Sequence, residues 1–128
     1  MRCLLDTHAL LWWLFDDRRL SETARGLLMD RSNDVYVSSA SAWEISTKYR
    51  LGRLDSAAPL VQDMDGWIAR AGFGELAITI AHAQRAGSWP HLHRDPFDRM
   101  LAAQSVIEDF PIVGRDRALL QFGVVPVW

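Results

Sequence analysis

The feature that most constrains the fold is a repeated pairing of short apolar runs, each followed within a few residues by a stretch of helical spacing. Residues 2–6 read as a buried strand and 9–15 as the helix after it. Leu20, Ala24, Leu27 and Leu28 keep helical spacing behind Ser21, a cap. Residues 34–38 alternate as a strand, and 41–51 read as a helix ended by Gly52. Leu60, Met64, Trp67, Ile68 and Ala71 predict one helix stopping at Gly72; a short strand at 75–78 and a helix to about Ala86 follow. Asp95-Pro96 starts the next helix, with Asp as cap and Pro at the first helical position. It runs to about Glu108. A strand at 111–114, a short helix at 116–122 and a last strand at 124–128 complete the pattern. Strands alternating with helices imply an α/β fold with a central, mostly parallel sheet of four to five strands and helices on both faces. No repeat or linker interrupts residues 1–128, which are expected to form a single domain.

Composition narrows the chemistry. Cys3 is the only cysteine, so no internal disulfide and no cysteine zinc site is available. It is expected to be a buried thiol in a reducing cytoplasm. The apolar N-terminal run is broken by Asp6 and His8 and falls well short of the ~20 residues of a membrane span. A cytoplasmic protein with no membrane partner is expected. The net charge of −2 argues at first sight against a nucleic-acid partner. By residue type the charges are less ordinary: 13 Arg to one Lys, and 12 Asp to four Glu. Arginine is suited to bidentate contact with phosphate.

Placement of the acids is more informative than their sum. Ligands of an open parallel sheet bind beyond the carboxyl ends of its strands. Asp6 closes the first strand and Asp116 follows the strand at 111–114 closely, so both belong at that edge. Helices that leave strands begin there too, which brings Glu44 and Asp98 in as first-turn residues. Each acid also has a plain structural role available. Glu44 makes a capping box with Ser41, Asp98 suits a helix dipole, Asp116 caps a short helix and Asp95 caps another. Asp6, set directly behind Cys3-Leu4-Leu5, has no packing reason to be there. Four convergent carboxylates need a neutralising cation, and oxygen ligands select a hard one, Mg²⁺ or Mn²⁺. Phosphodiester hydrolysis is the reaction class that fits.

The stretches LLDTHALLW (4–12), SSASAWEI (38–45), HRDPFDRMLAAQ (93–104) and IVGRD (112–116) resemble, in order, the four motifs of PIN-domain nucleases, most of all the VapC-type toxins of toxin–antitoxin pairs. The resemblance implies a single PIN-like domain and a Mg²⁺-dependent endoribonuclease whose acidic quartet is Asp6, Glu44, Asp98 and Asp116. Asp6 and Asp98 would be direct metal ligands, with Glu44 and Asp116 positioning metal waters or a second ion. Water activated by the metal would attack the RNA phosphodiester in line, leaving 5′-phosphate and 3′-hydroxyl ends. The resemblance also implies a homodimer and a VapB-like antitoxin laid over the acidic cleft. One departure stands out: Gly114 occupies the position where the family usually has Thr or Ser.

Around the acids, Arg94, Arg99, Arg115 and Arg117 are candidates for phosphate contacts or for pairing with neighbouring Asp residues. Trp89, His91 and His93 offer rings for stacking on unpaired bases. Thr7, Ser38 and Ser39 either cap helices or hydrogen-bond the carboxylates. Trp12 and Trp13, being adjacent, are expected to send one ring to an interface. Three alternatives remain. A phosphotransfer domain would need a lysine from a late strand or a D-x-D motif, where this chain has Lys48 in a helix and Asp6-Thr7-His8. The others are a housekeeping PIN nuclease and a non-catalytic PIN scaffold. With the four acids set aside, the remaining charges are +2, so the acidity is concentrated where a dication would neutralise it.

Overall fold

In the computed structural model, which describes residues 1–90 and 93–128, the first apolar run forms strand β1 (Arg2–Leu5) and turns at Asp6 into helix α1 (Thr7–Leu14). Then come α2 (Glu22–Met29), β2 (Asp34–Ser38), α3 (Ser39–Arg50), a 3-10 turn (Asp55–Ala57), α4 (Ala58–Gln62), α5 (Met64–Arg70) and β3 (Gly74–Leu76). The chain continues through α6 (Ile80–Ser88), α7 (Pro96–Glu108), β4 (Ile112–Val113) and a closing 3-10 helix (Arg117–Phe122). Among the described residues the sheet has four strands, all parallel, in the order β3-β2-β1-β4.

Pleating sorts the apolar side chains onto two faces. Cys3 and Leu5 of β1, Val35 and Val37 of β2 and Val113 of β4 pack with Leu10, Leu28, Ile45 and Leu60 on one side. Leu4 and Ile112 pack with Leu101, Leu119 and Phe122 on the other, with Tyr36 against them. A strand buried on both faces reads as a continuous apolar run, which is why residues 3–5 carry no alternation. Burial also pushes the Cys3 thiol up to about 11, so it is an inert core group.

Three elements differ from the sequence expectation. The expected helix through residues 60–71 is cut at Asp63, whose non-helical backbone (φ −152°, ψ 61°) ends α4 and whose side chain caps α5 at the Gly66 amide. Helix α3 starts two residues early, on a Ser38 cap. The last strand, 124–128, shrinks to a bridge from Val127 to Val113, with Pro126 lacking the amide a ladder needs. Trp12 packs against Trp128 (5.6 Å) and is buried, while Trp13 packs against Phe73 (6.4 Å) and stays half-buried at the surface. Among the described residues no helix is long and apolar enough to cross a membrane.

Candidate active site

Parallel strands put the carboxyl ends of β1, β2 and β4 at one edge, and the helices leaving them start there. Asp6 sits at the turn from β1 to α1, only 7% exposed, with Oδ1 accepting the Ala9 amide at 3.1 Å. Its other oxygen faces the backbone of Gly114. A Cβ added at Gly114 would lie 2.5 Å from Asp6 Oδ2 and 2.8 Å from Cγ. The missing hydroxyl side chain at position 114 therefore has a steric counterpart: the Asp6 carboxyl fills its place.

Glu44 lies in the second turn of α3, 3% exposed, with the Lys48 ammonium on Oε2 one turn along. The capping-box reading fails, because Ser41 is inside the helix and its hydroxyl bonds Thr7 (2.9 Å). Of the hydroxyls expected to cap, Ser38 does so through the Ala40 amide, whereas Thr7 is the first residue of α1 and ties it to α3 through Ser41. Asp98 is the third residue of α7, where the Asp95 cap holds the Phe97 and Asp98 amides. Asp98 Oδ2 meets His93 Nε2 at 3.0 Å. Asp116 caps the closing 3-10 helix through the Ala118 amide (2.9 Å).

The electrostatics bind the four acids into one group. Burial first, and then the charges of Asp95, Asp116 and Glu44, push the Asp98 carboxyl up to about 6 against the pull of His93. Burial also raises Asp6, with Asp116 adding to it and the Ala9 amide and His8 opposing it. Carboxylates that raise each other's proton affinity form a site that favours a dication, and an all-oxygen donor set suits a hard ion. Among the described residues no three acidic, histidine or cysteine side chains are yet gathered closely enough to ligate one ion. In donor chemistry and charge the four acids fit such an ion.

A family model described as the PIN domain matches residues 3–124. The chain belongs to the PIN-domain family. Among curated proteins this PIN domain is similar to Ribonuclease VapC16 of Mycobacterium tuberculosis, 35% identical over 68 residues, which span 52% of this chain and 48%, about half, of that protein. It is also similar to Ribonuclease VapC22 of the same organism, 26% identical over 119 residues, 91% of this chain and 88% of the relative. Among solved structures it resembles VapBC2 from Rickettsia felis bound to a DNA fragment from their promoter. The TM-score is 0.70 at 12% identity, with 100% of this chain and 98% of that one covered, a likeness of fold.

The flanking candidates fare unequally in this PIN domain. Arg99 donates to the carbonyls of Ala86, Trp89 and His93 at 2.6–2.9 Å, so its guanidinium staples backbone instead of facing a substrate. Trp89 packs its ring on Phe122 (4.8 Å) with Arg85 over it, and so is not an open stacking platform. His91 lies outside the described residues. Arg94 is exposed just before α7, and Arg115 and Arg117 are exposed beside Asp116. Sequence reasoning missed Lys48 on Glu44, which the i, i+4 spacing signals, and His93 on Asp98, which nothing local signals. It also missed Trp43, 59% exposed and edge-on to Phe97 (4.8 Å), although both rings immediately precede site acids.

Removing the Arg99 staple gives a first test. Arg99→Ala is expected to lower unfolding free energy by about 2 kcal/mol, through carbonyls left without their charged donor. Urea denaturation measures this, and RNA affinity of the folded fraction should be unchanged.

Proposed function

We propose that residues 1–128 form one PIN-like nuclease domain acting as an endoribonuclease dependent on a divalent cation, Mg²⁺ or Mn²⁺. We further propose that it is the toxin of a toxin–antitoxin pair. The observation that carries the nuclease reading is that two buried acids beyond the strand ends, Asp6 and Asp98, are both raised by burial and by the charge of Asp116, with Glu44 adding to Asp98. The ribonuclease names of both curated relatives support it, and the VapBC neighbour supports a VapB-like partner. Asp6 and Asp98 are assigned as direct ligands; Glu44 and Asp116 orient water. A bound dication supplies polarisation of the phosphoryl group and a lower pKa for water. Asp6 keeps one oxygen tied to the Ala9 amide, so the other has a fixed direction. His93 holds Asp98 in the same way through Nε2. Water adds to phosphorus in line, the P–O3′ bond breaks, and the departing 3′-oxygen takes up a proton. The products are a 5′-phosphate and a 3′-hydroxyl end. A homodimer, a cytoplasmic location and an antitoxin segment over the acidic cleft belong to the same reading.

The Lys48–Glu44 pair is the observation on the side of a non-catalytic scaffold, since one acid already has a resident cation. Dication removal decides between the two. Purified protein is expected to cut single-stranded RNA with Mg²⁺ or Mn²⁺, to stop in excess chelator, and to resume when the ion is restored. Undiminished cleavage in chelator, or no dication binding at millimolar concentration, would overturn the proposal.

A further inference from the structure

Next to the acids lies a second feature of opposite charge. A cleft of about 440 Å³ is lined by Asp6 and Asp116 together with Arg19, Arg115 and Arg117, and His8 and Trp12 complete it. Trp12 is 6% exposed and packs in the core. The Arg115 guanidinium carbon rests 4.6 Å from the Trp12 ring centroid and that of Arg19 5.2 Å. A guanidinium held over an indole uses none of its N–H donors in that contact. Arg19 is further fixed by Asp17, through Nε (3.1 Å) and a terminal nitrogen (2.8 Å). Among the described residues, Arg115 and Arg117 have no ion pair and no side-chain hydrogen bond.

The chain thus orients two cations on a buried ring beside its acidic site and leaves Arg115 and Arg117 without carboxylate partners. A polyanion must approach four carboxylates to be cut, and cations on the Asp6–Asp116 side offset that repulsion. We propose that Arg115 and Arg117, with Arg19 behind them and Trp12 as the positioning residue, bind the RNA phosphate adjacent to the one cleaved. This rests on the nuclease reading and adds a side to it: the strand leaves the acids past Asp116, not past α7.

The test is binding of a fluorescein-labelled single-stranded RNA decamer to the Asp98→Asn protein, whose substitution lies outside this cleft, over a range of salt concentrations. Arg115→Ala and Arg117→Ala should each weaken binding several-fold. Each should also make the slope of log affinity against log salt shallower by about 0.7, as loss of one phosphate contact on a single strand requires. Arg53→Ala, beyond the far end of α3, should change neither. Arg115→Lys should recover the slope but only part of the affinity, because a point charge replaces a fork; this arm also guards against misfolding of the alanine variant. Trp12→Phe should weaken binding with the salt slope kept. Unchanged slopes in both alanine variants would overturn the inference, as would unchanged RNA affinity with lost binding of an acidic peptide. If those variants bind normally while the parent still cuts RNA, the inference alone fails; if the parent cuts no RNA with any dication, the reading beneath it fails.

Discussion

Asp6→Asn and Asp98→Asn proteins are expected each to cleave RNA at least about a thousandfold more slowly than the parent, since on the proposed mechanism each removes a charged ligand of the dication. In dication-free buffer at pH 7.5 both are expected to melt at a higher temperature. The reason is the direction of the proton equilibria. Asp98 titrates near 6 in the folded chain, above the ~3.9 of an unfolded aspartate. Between those values the folded state holds a proton that the unfolded state has released, so stability falls as pH rises from about 4 to about 6 and levels off above. Part of the side chain meets solvent, which leaves about 2 kcal/mol of destabilisation at neutral pH. Burial moves Asp6 in the same direction. Neutral asparagine removes the penalty at its own position, so thermal melts of Asp98→Asn should depend less on pH between 4 and 6 than those of the parent, with the contribution of Asp6 remaining. Added Mg²⁺ should raise the melting temperature of the parent more than that of either variant. A variant that loses activity together with stability would mean that the carboxylate was holding the fold and not the ion.

The second large effect concerns Gly114. Gly114→Ser places a Cβ within 3 Å of three atoms of Asp6, which is buried and tied to the Ala9 amide and has little room to retreat. Overpacking of this kind costs about 1–3 kcal/mol. Cleavage should fall at least tenfold, because what yields is the orientation of the Asp6 carboxyl. Gly87→Ala in α6 is the control: nothing lies within 4 Å of the added carbon, and a helical alanine should stabilise by about 0.5–1 kcal/mol. Parallel urea melts and cleavage assays separate the two. A Gly114→Ser protein of full activity and stability would show that Asp6 has another resting place.

What was legible in the sequence follows from how local each signal is. Residues 2–6, 34–38 and 96–108 were readable because apolar runs, alternation and an Asp-Pro start act within a few residues. The acids were readable because parallel strands share a carboxyl edge, so position along the chain converts to position in space. Asp63 was not, since its break in a helical period is made by a backbone conformation that no neighbour dictates. The Arg99 staple and the His93 contact were not, because both depend on where a loop comes to rest against α7. The Trp12 platform for Arg19 and Arg115 joins residues about a hundred positions apart. Only the β1–β4 pairing brings them together.

That pairing sets an order of events. Strand β1 is held between β2, which follows it closely, and β4, which comes more than a hundred residues later. Asp6 lies directly beyond β1 and Asp116 directly beyond β4. During synthesis Asp6 is therefore made well before Asp116, and the two come together only once β4 has docked on β1. A chain interrupted before Ile112 leaves one edge of β1 open, lacks the fourth acid and has no Arg115. If the four acids act together as proposed, copies that stop before Ile112 are expected to show no RNA cleavage.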